Sequence, residues 1–377
     1  MWFSKTTQEY QGDSIMSFNV ISGIDTAFDT FRFKVHGINC FTVPKYLAVS
    51  AFRPVNRELF YAYIYMYCHY NLLGLAKKPQ HIVRELNIAG YDLEGFEQYV
   101  LTQKLGLELL TVSIKGNLPQ KICKALDSGF PVLVPTDQGK YFYWESYQQE
   151  VRPHLLLVKG YNTNTDVFVI HDGVQNNRLN KLLATLGFEL GDAYSEFYMP
   201  ASLLEQAYKS YIENNPYLRD QIQIIQPKGI PTIKSKRDAL IDLVTELESH
   251  LDNVPALLAP KFTALEREGR FQTEAEALYI NSQQVLAKTL PKLLPDDAAY
   301  ISLKRNLEDL GLAAYRAWKQ FITAFAVMDR KGYRQVDVLS KLKSNILEVE
   351  NKFLYLLYEA GQADPSSVKS FHLIKNK

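Results

Sequence analysis

The feature that most constrains the fold is a run of twenty residues, 154–173, with the sequence HLLLVKGYNTNTDVFVIHDG. Two segments rich in aliphatic and β-branched residues flank a cluster of Asn, Thr, Gly and Asp, which are residue types that favour tight turns. The pattern therefore predicts a β-hairpin. If its turn is centred on Thr163, Leu155 faces His171 and position 154 faces position 172.

Directly opposed residues of two antiparallel strands point to the same side of the sheet, so the hairpin brings His154 and Asp172 together. An imidazole beside a carboxylate can act as a general base that the carboxylate orients. His171 is the competing base, but it is adjacent to Asp172 and is expected to point to the opposite side. The alternative is a surface histidine beside a turn aspartate, with no catalytic role.

Three cysteines are available as nucleophiles: Cys40, Cys68 and Cys123. Cys40 follows a loop-like HGIN segment and precedes a helical pattern, and the dipole at a helix N-terminus favours a thiolate. Cys68 and His69 lie in a strongly aromatic helical run, and Cys123 lies on a short predicted helix, so these residues are expected in the core. Cys40 is therefore the predicted nucleophile, and its alternative is a small buried apolar residue.

The chain changes character near residues 226–236, where QPKGIPT combines two prolines and a glycine and predicts a linker. Residues 1–225 mix helical and strand patterns. We predict helices near 56–73 and 118–128, and strands at PVLVP (131–135) and KYFYWES (140–146). Residues 237–377 carry helical patterns at 238–253, 271–290, 296–327 and 337–360, which are typical of a helical bundle domain.

The overall composition argues against several functional classes. The net charge of the 377-residue chain is only +1, so neither a nucleic acid nor a membrane is an expected partner. No Cys or His spacing suits a metal, and no cofactor is predicted. The N-terminus shows no secretory signal, and the most apolar stretch, residues 59–67, is far shorter than the roughly 20 residues of a membrane span. With three cysteines and no disulfide pattern, a cytoplasmic location is expected.

Four segments occur in an order that resembles a known family: GINC before a helix, KALDSGFPVLV, HLLLVKGYN and VFVIHDG. The order is similar to that of the papain-like peptidases that process bacteriocins. It more closely resembles the N-terminal domain of the butirosin biosynthesis protein H family, over about residues 30–200. The resemblance implies an α+β papain-like fold followed by an all-helical domain. It also implies the roles of nucleophile for Cys40, base for His154 and orienting residue for Asp172.

Members of that family move an acyl group from an acyl-carrier-protein thioester to an amine. The resemblance therefore implies an amide-forming acyltransferase of antibiotic and related natural-product biosynthesis, with an acyl carrier protein and a small amine or diamine as partners. The chain is also similar to the papain-like amide synthase of closthioamide biosynthesis. The alternatives are a cysteine peptidase or amidase, and a non-catalytic binding module on the same fold.

The sequence departs from papain-type peptidases at one position. Those enzymes carry a glutamine about six residues before the cysteine, which donates to the oxyanion, whereas this chain has Lys34 there. The Cys40 backbone N–H is one remaining donor, and Asn39, His36 or Lys34 is the candidate for another. A thioester is more activated than an amide and tolerates a weaker oxyanion site, so the departure favours thioester substrates.

Overall fold

The computed structural model describes residues 18–24, 42–70, 72, 93–114, 116–144, 146–173, 194–215, 220–268 and 282–362. Its architecture is α+β, as predicted, with one seven-stranded antiparallel sheet and helices that lie both between its strands and after them in the chain. The strands are β1 (Phe18–Val20), β2 (Leu107–Ser113), β3 (Val132–Asp137), β4 (Pro153–Asn162), β5 (Val167–Gly173), β6 (Tyr194–Pro200) and β7 (Gln221–Pro227). The helices are α1 (Thr42–Ala48), α2 (Asn56–Tyr70), α3 (Leu93–Tyr99), α4 (Leu118–Asp127), α5 (Ala201–Asn214), α6 (Lys236–Glu248), α7 (Val254–Glu268), α8 (Ile301–Arg330) and α9 (Val336–Gln362), and residues 282–289 are also helical.

The strand order is β2-β7-β3-β4-β5-β6, and β1 pairs with the C-terminal half of β4. Neighbouring strands are antiparallel, so β3 and β5 end where β4 begins. His154, the second residue of β4, and Asp172, the next-to-last residue of β5, therefore lie at the same end of the sheet. We call this end the His154 end.

The hairpin of β4 and β5 is present, but the predicted register is wrong. Leu157, and not Leu155, lies opposite His171, and a bulge at Lys159 separates this register from the one nearer the turn. The bulge coincides with a close approach of β1, because a Cβ at Gly160 would come within 2.6 Å of the Asn19 carbonyl oxygen. A bulge inserts one residue and changes the register locally. The turn is also centred later than Thr163, because Asn162 lies opposite Val167, so the register differs from the prediction by three residues at the turn and by two beyond the bulge.

The two faces of the sheet are covered by different helices. On one face, Leu133, Leu155 and Leu157 pack in a hydrophobic cluster with Tyr46 and Leu47 of α1, and the bundle helices contribute to the same cluster. On the other face, the alternate residues of β3 and β4 pack against α4 and α5: Val132, Val134, Leu156 and Val158. We refer to these as the α1 face and the α5 face.

Several local predictions agree with the structure, and others do not. Helix α4 and strand β3 lie where helix 118–128 and the PVLVP strand were predicted. The KYFYWES strand was wrong, because short-range bonds such as Tyr141 N–H to the Gln138 carbonyl fold this segment into turns. Helix α7 was not predicted, since Pro255 and Pro260 argue against a helix in sequence.

The bundle begins after the proline-rich segment. Ser235 caps α6 and Asp238 completes a capping box, which explains why the helix starts there. Helices α8 and α9 match the predicted 296–327 and 337–360, whereas most of the predicted 271–290 helix lies outside the described residues. No helix in the described ranges combines the length and apolar character needed to cross a membrane.

Candidate active site

His154 and Asp172 form a buried hydrogen-bonded pair at the His154 end of the sheet. The His154 Nε2 atom lies 2.9 Å from Asp172 Oδ1, and neither residue has exposed surface. Continuing the register of β4 and β5 would place Leu156 opposite Asp172, so His154 is its diagonal neighbour on the same side. The register error was two residues, and an even shift keeps a side chain on the same face. The two side chains therefore meet despite the wrong register.

The second carboxylate oxygen of Asp172 is held by two aromatic donors. Tyr143 Oη donates to Asp172 Oδ2 at 3.0 Å, and Trp144 Nε1 donates to the same oxygen at 3.2 Å. The Trp144 ring also packs against the His154 imidazole, with ring centroids 5.0 Å apart. Tyr143, Trp144 and Asp172 are thus buried polar residues joined by hydrogen bonds, as a low-dielectric interior favours.

The loop that carries these aromatic residues, 138–152, is fixed at its base by Asp137. The Asp137 Oδ1 atom accepts from the backbone N–H groups of Gly139 and Arg152, at 2.9 and 3.1 Å. Its Oδ2 atom accepts from Ser210 Oγ of α5 at 2.7 Å. A Cβ at position 139 would lie 2.4 Å from the Glu150 carbonyl oxygen, so only glycine fits this closely packed loop. The loop therefore presents Tyr143 and Trp144 from a well-anchored base.

The predicted nucleophile and the oxyanion candidates lie outside the described residues: Cys40, Asn39, His36 and Lys34. The Cys68 side chain lies outside them too. Cys123 is half-buried on α4, and burial together with the nearby Asp127 raises the pKa of its thiol to about 11. A thiol with such a pKa is protonated near neutral pH and is a poor nucleophile, which agrees with the prediction that Cys123 is not catalytic.

The two candidate bases lie on opposite faces of the sheet. His154 faces the α5 side with Leu156, whereas His171 is opposite Leu157 and so shares the α1 face. Helix α1, which Cys40 precedes by two residues in sequence, packs on that α1 face. A nucleophile at the head of α1 can therefore meet His154 only around the end of the sheet. The contact with Asp172 favours His154 as the base, and the position of α1 favours His171.

A second polar cluster is buried between α2 and the bundle. Its side chains have no exposed surface: His69, Tyr70, Lys261, Ser282, Gln283, Trp318 and Glu350. His69 Nε2 donates to Glu350 Oε1 at 2.8 Å, while His69 Nδ1 lies 2.8 Å from both Ser282 Oγ and Lys261 Nζ, which share its single lone pair. Trp318 Nε1 and Tyr70 Oη donate to the two Glu350 oxygens at 2.6 Å, and Gln283 Nε2 also donates to Oε2. We call this the Glu350 cluster.

The order Ser282, His69, Glu350 is that of a nucleophile, a base and an acid. Burial and the nearby Lys261 lower the pKa of His69 to about 4. Burial by itself raises the pKa of Glu350, but His69 and the other donors outweigh it and hold that pKa at about 2. Because the cluster joins α2 to α7, α8 and α9, we interpret it as structural. His69 is a core residue, as predicted, but its polar partners were not anticipated.

No protein-family model matches this chain. No curated protein matches it significantly either. The functional interpretation therefore depends on the geometry and on the order of motifs in the sequence.

Substituting each histidine by alanine tests which one is the base. We expect His154→Ala to slow acyl transfer by at least about 100-fold, the lower range for loss of a general base. His171→Ala is expected to retain most of the activity, because His171 points away from Asp172. Both variants are compared by initial rates and by thermal melting, since both side chains are buried. A folded, fully active His154→Ala protein beside an inactive His171→Ala protein would reverse the assignment.

Proposed function

We propose that this protein is a papain-like, amide-forming acyltransferase that uses Cys40, His154 and Asp172. The observation that carries the proposal is the buried hydrogen bond from His154 to Asp172, whose other oxygen is already held by Tyr143 and Trp144. A carboxylate with this arrangement can orient an imidazole and stabilise its protonated form. The segment order described for the sequence supports Cys40 as the third member.

The chemistry proceeds in two balanced steps. His154 accepts the Cys40 thiol proton, and the thiolate attacks the carbonyl carbon of an acyl group on an acyl carrier protein. The carrier thiol leaves with a proton, and an acyl-Cys40 thioester remains. An amine then attacks this thioester, His154 takes the proton of the amine, and Cys40 is released as the thiol when the amide forms.

Contacts of α1 support a location of this chemistry at the His154 end. Gly23, which follows β1, packs against Ser50 and Ala51 just beyond α1, and β1 pairs with the C-terminal half of β4. Helix α1 also contacts β3, whose pairing with β4 covers residues 153–158 of that strand. These contacts favour a helix whose beginning is directed toward the His154 end. The bundle helices share the cluster of the α1 face, which is opposite the face of His154, so these contacts do not favour the helical part as a cover for the site.

The buried dyad also gives a specific reason to consider the non-catalytic alternative. His154 and Asp172 have no exposed surface, and an enclosed ion pair can be purely structural. A peptidase or amidase is the other alternative, in which water replaces the amine. Lys34, at the position of the oxyanion glutamine, makes slow cleavage of peptide bonds the expectation for this chain.

Mass spectrometry of the acyl-enzyme tests the proposal directly. Incubation with an octanoyl-loaded acyl carrier protein, without amine, is expected to add one octanoyl group to the tryptic peptide of residues 35–45, which contains Cys40. The other two cysteines fall on separate tryptic peptides, residues 58–77 and 122–124, so the three positions are distinguished. Adduct on either of those peptides, or no adduct with any acyl length, would contradict the Cys40 assignment.

Supplying millimolar amine to the same reaction separates transfer from hydrolysis. We expect amide to exceed free acid, because a transferase must shield the acyl-enzyme from water until the amine arrives. The products are quantified by liquid chromatography over a panel of monoamines and diamines. Free acid as the main product with every amine, together with efficient cleavage of peptides, would favour the hydrolase alternative.

A further inference from the structure

We propose that Tyr143 and Trp144 are positioning residues that fix His154 in the tautomer with hydrogen on Nε2, so that Nδ1 exchanges the proton with the nucleophile. The catalytic part of this inference rests on the proposed function. The structural part, the tautomer and the two residues that set it, does not. Neither aromatic residue belongs to the Cys, His and Asp set that the sequence indicated.

The donors and acceptors around Asp172 determine the tautomer. The indole N–H of Trp144 can only donate, so Asp172 Oδ2 is an acceptor there. An ionised carboxylate has no hydrogen to give, so the short contact between Asp172 Oδ1 and His154 Nε2 requires hydrogen on Nε2. In the neutral imidazole, the lone pair available to accept a proton is then on Nδ1.

Two donors on one oxygen fix the plane of the carboxylate as well as its position. Removing the two donors takes two hydrogen bonds from Asp172 Oδ2, and buried Asp172 has no water-exposed surface to compensate. Burial, followed by the nearby Asp172, raises the pKa of Tyr143 well above its ordinary value. Tyr143 therefore keeps its hydroxyl hydrogen and remains a donor across the working pH range.

The aromatic donors are themselves fixed by packing. The Tyr143 ring stacks on Phe197 of β6, with centroids 4.7 Å apart, and on Tyr141, with centroids 5.5 Å apart. The Trp144 ring lies against His154 at an interplanar angle of 63°, which restrains the imidazole from the side. The contacts of Asp137 anchor the loop base. A chain of rigid contacts thus runs from the sheet through the loop to the imidazole.

This arrangement specifies the path of the proton. The thiol hydrogen of Cys40 moves to His154 Nδ1, and the resulting imidazolium keeps its Nε2–H bond to the Asp172 carboxylate. The proton on Nδ1 is then given to the departing carrier thiolate. Loss of the two aromatic donors weakens the alignment of Asp172, the two tautomers of His154 mix, and a smaller fraction of the enzyme has an accepting Nδ1.

The test compares Tyr143→Phe, Trp144→Phe and the double variant with Tyr147→Phe as a control. Tyr147 lies in the same loop and is 41% exposed, whereas the hydrogen bonds to Asp172 Oδ2 come from Tyr143 and Trp144. We expect the rate of Cys40 acylation to fall about tenfold in each single variant, the usual scale for one hydrogen bond to a charged group. The double variant is expected to lose about 100-fold, with KM for the carrier little changed.

Nitrogen-15 NMR of the histidine rings reads the tautomer independently of turnover. It is measured in the Cys40→Ala background, and the His154 signals are assigned from a His154→Gln protein. The parent protein is expected to show a protonated Nε2 and an unprotonated Nδ1, and the double variant an average of both states. If the double variant does not fold, the single variants, each of which removes one donor, carry the test.

The outcomes separate this inference from the proposed function. An unchanged tautomer in the variants, an unchanged acylation rate, or a parent protein protonated on Nδ1 would overturn the inference. A parent protein that never acylates Cys40, but shows the expected tautomer and its loss in the variants, would overturn the proposed function and support the positioning role. An equal loss of acylation rate in Tyr147→Phe would also overturn the positioning role of Tyr143 and Trp144, because it would indicate a general disturbance of the loop.

Discussion

Cys40→Ala is expected to reduce acyl transfer to background, a loss on the order of 10⁴-fold or more, as is usual when a covalent nucleophile is removed. The alanine lacks only the sulfur atom, so the change removes the group that carries the acyl intermediate and little else. Neither of the other cysteines is expected to replace it. The Cys123 thiol, with a pKa raised by burial to about 11, is a weak nucleophile near neutral pH.

The measurement pairs transfer rates with thermal melting, and Cys123→Ala is the matched control. Both substitutions delete one sulfur, but the Cys123 variant is expected to keep its activity because Cys123 lies on α4, outside the proposed chemistry. Full activity in a well-folded Cys40→Ala protein would refute the nucleophile assignment. Loss of activity in both variants, with unchanged melting, would indicate that the chemistry involves Cys123 as well.

The hairpin could be predicted from sequence because its signal is local. Two apolar runs and a turn cluster within twenty residues specify the pair of strands. The observed register near His171 differs from the predicted one by two residues, and a shift of two keeps His154 and Asp172 on one face. The bulge at Lys159 could not be predicted, because β1, from more than 130 residues away, approaches Gly160 there. The register of β4 and β5 beyond Lys159 therefore depends on a long-range contact, which the local pattern of the hairpin does not contain.

The residues that hold Asp172 were missed for a related reason. Tyr143 and Trp144 lie 29 and 28 residues before Asp172 in the chain. Their segment, KYFYWES, has the aromatic composition of a strand, so it was interpreted as one. Its hydrogen bonds are instead short-range turns, and its side chains pack around the dyad. Tyr and Trp occur both in strands and as buried hydrogen-bond donors in loops. The composition of this segment alone therefore cannot distinguish a strand from a loop.

The sequence of α9 contains a feature that predicts part of the Glu350 cluster. In α9, the buried positions Ile346, Phe353, Leu354 and Leu357 define an apolar face, and Glu350 lies on that same face. A carboxylate on the apolar face of a helix requires buried partners, which predicts a polar network inside the bundle. Its partners were not predictable, because His69 comes from α2 and lies 281 residues earlier in the chain.

Glu350→Ala is expected to lower the free energy of unfolding by about 3–5 kcal/mol, the usual cost of removing one partner from a buried ionic network. The substitution leaves the N–H and O–H groups of His69, Trp318 and Tyr70 without their shared acceptor, and each is enclosed where water cannot replace it. With total stabilities of about 5–15 kcal/mol for typical domains, a loss of this size unfolds a substantial fraction of the protein under mild stress.

Glu348→Ala is the matched control, since Glu348 is two residues away on the same helix. Its side chain is exposed and pairs with Lys352 at the surface, so its removal is expected to leave the unfolding midpoint unchanged within error. Urea unfolding, followed by far-UV circular dichroism and by Trp fluorescence, gives the midpoints of both variants and the parent protein. Equal midpoints for the two variants would refute a stabilising role of the cluster. A large loss in Glu350→Ala alone would support a stabilising role for the network that joins His69 of α2 to Glu350 of α9.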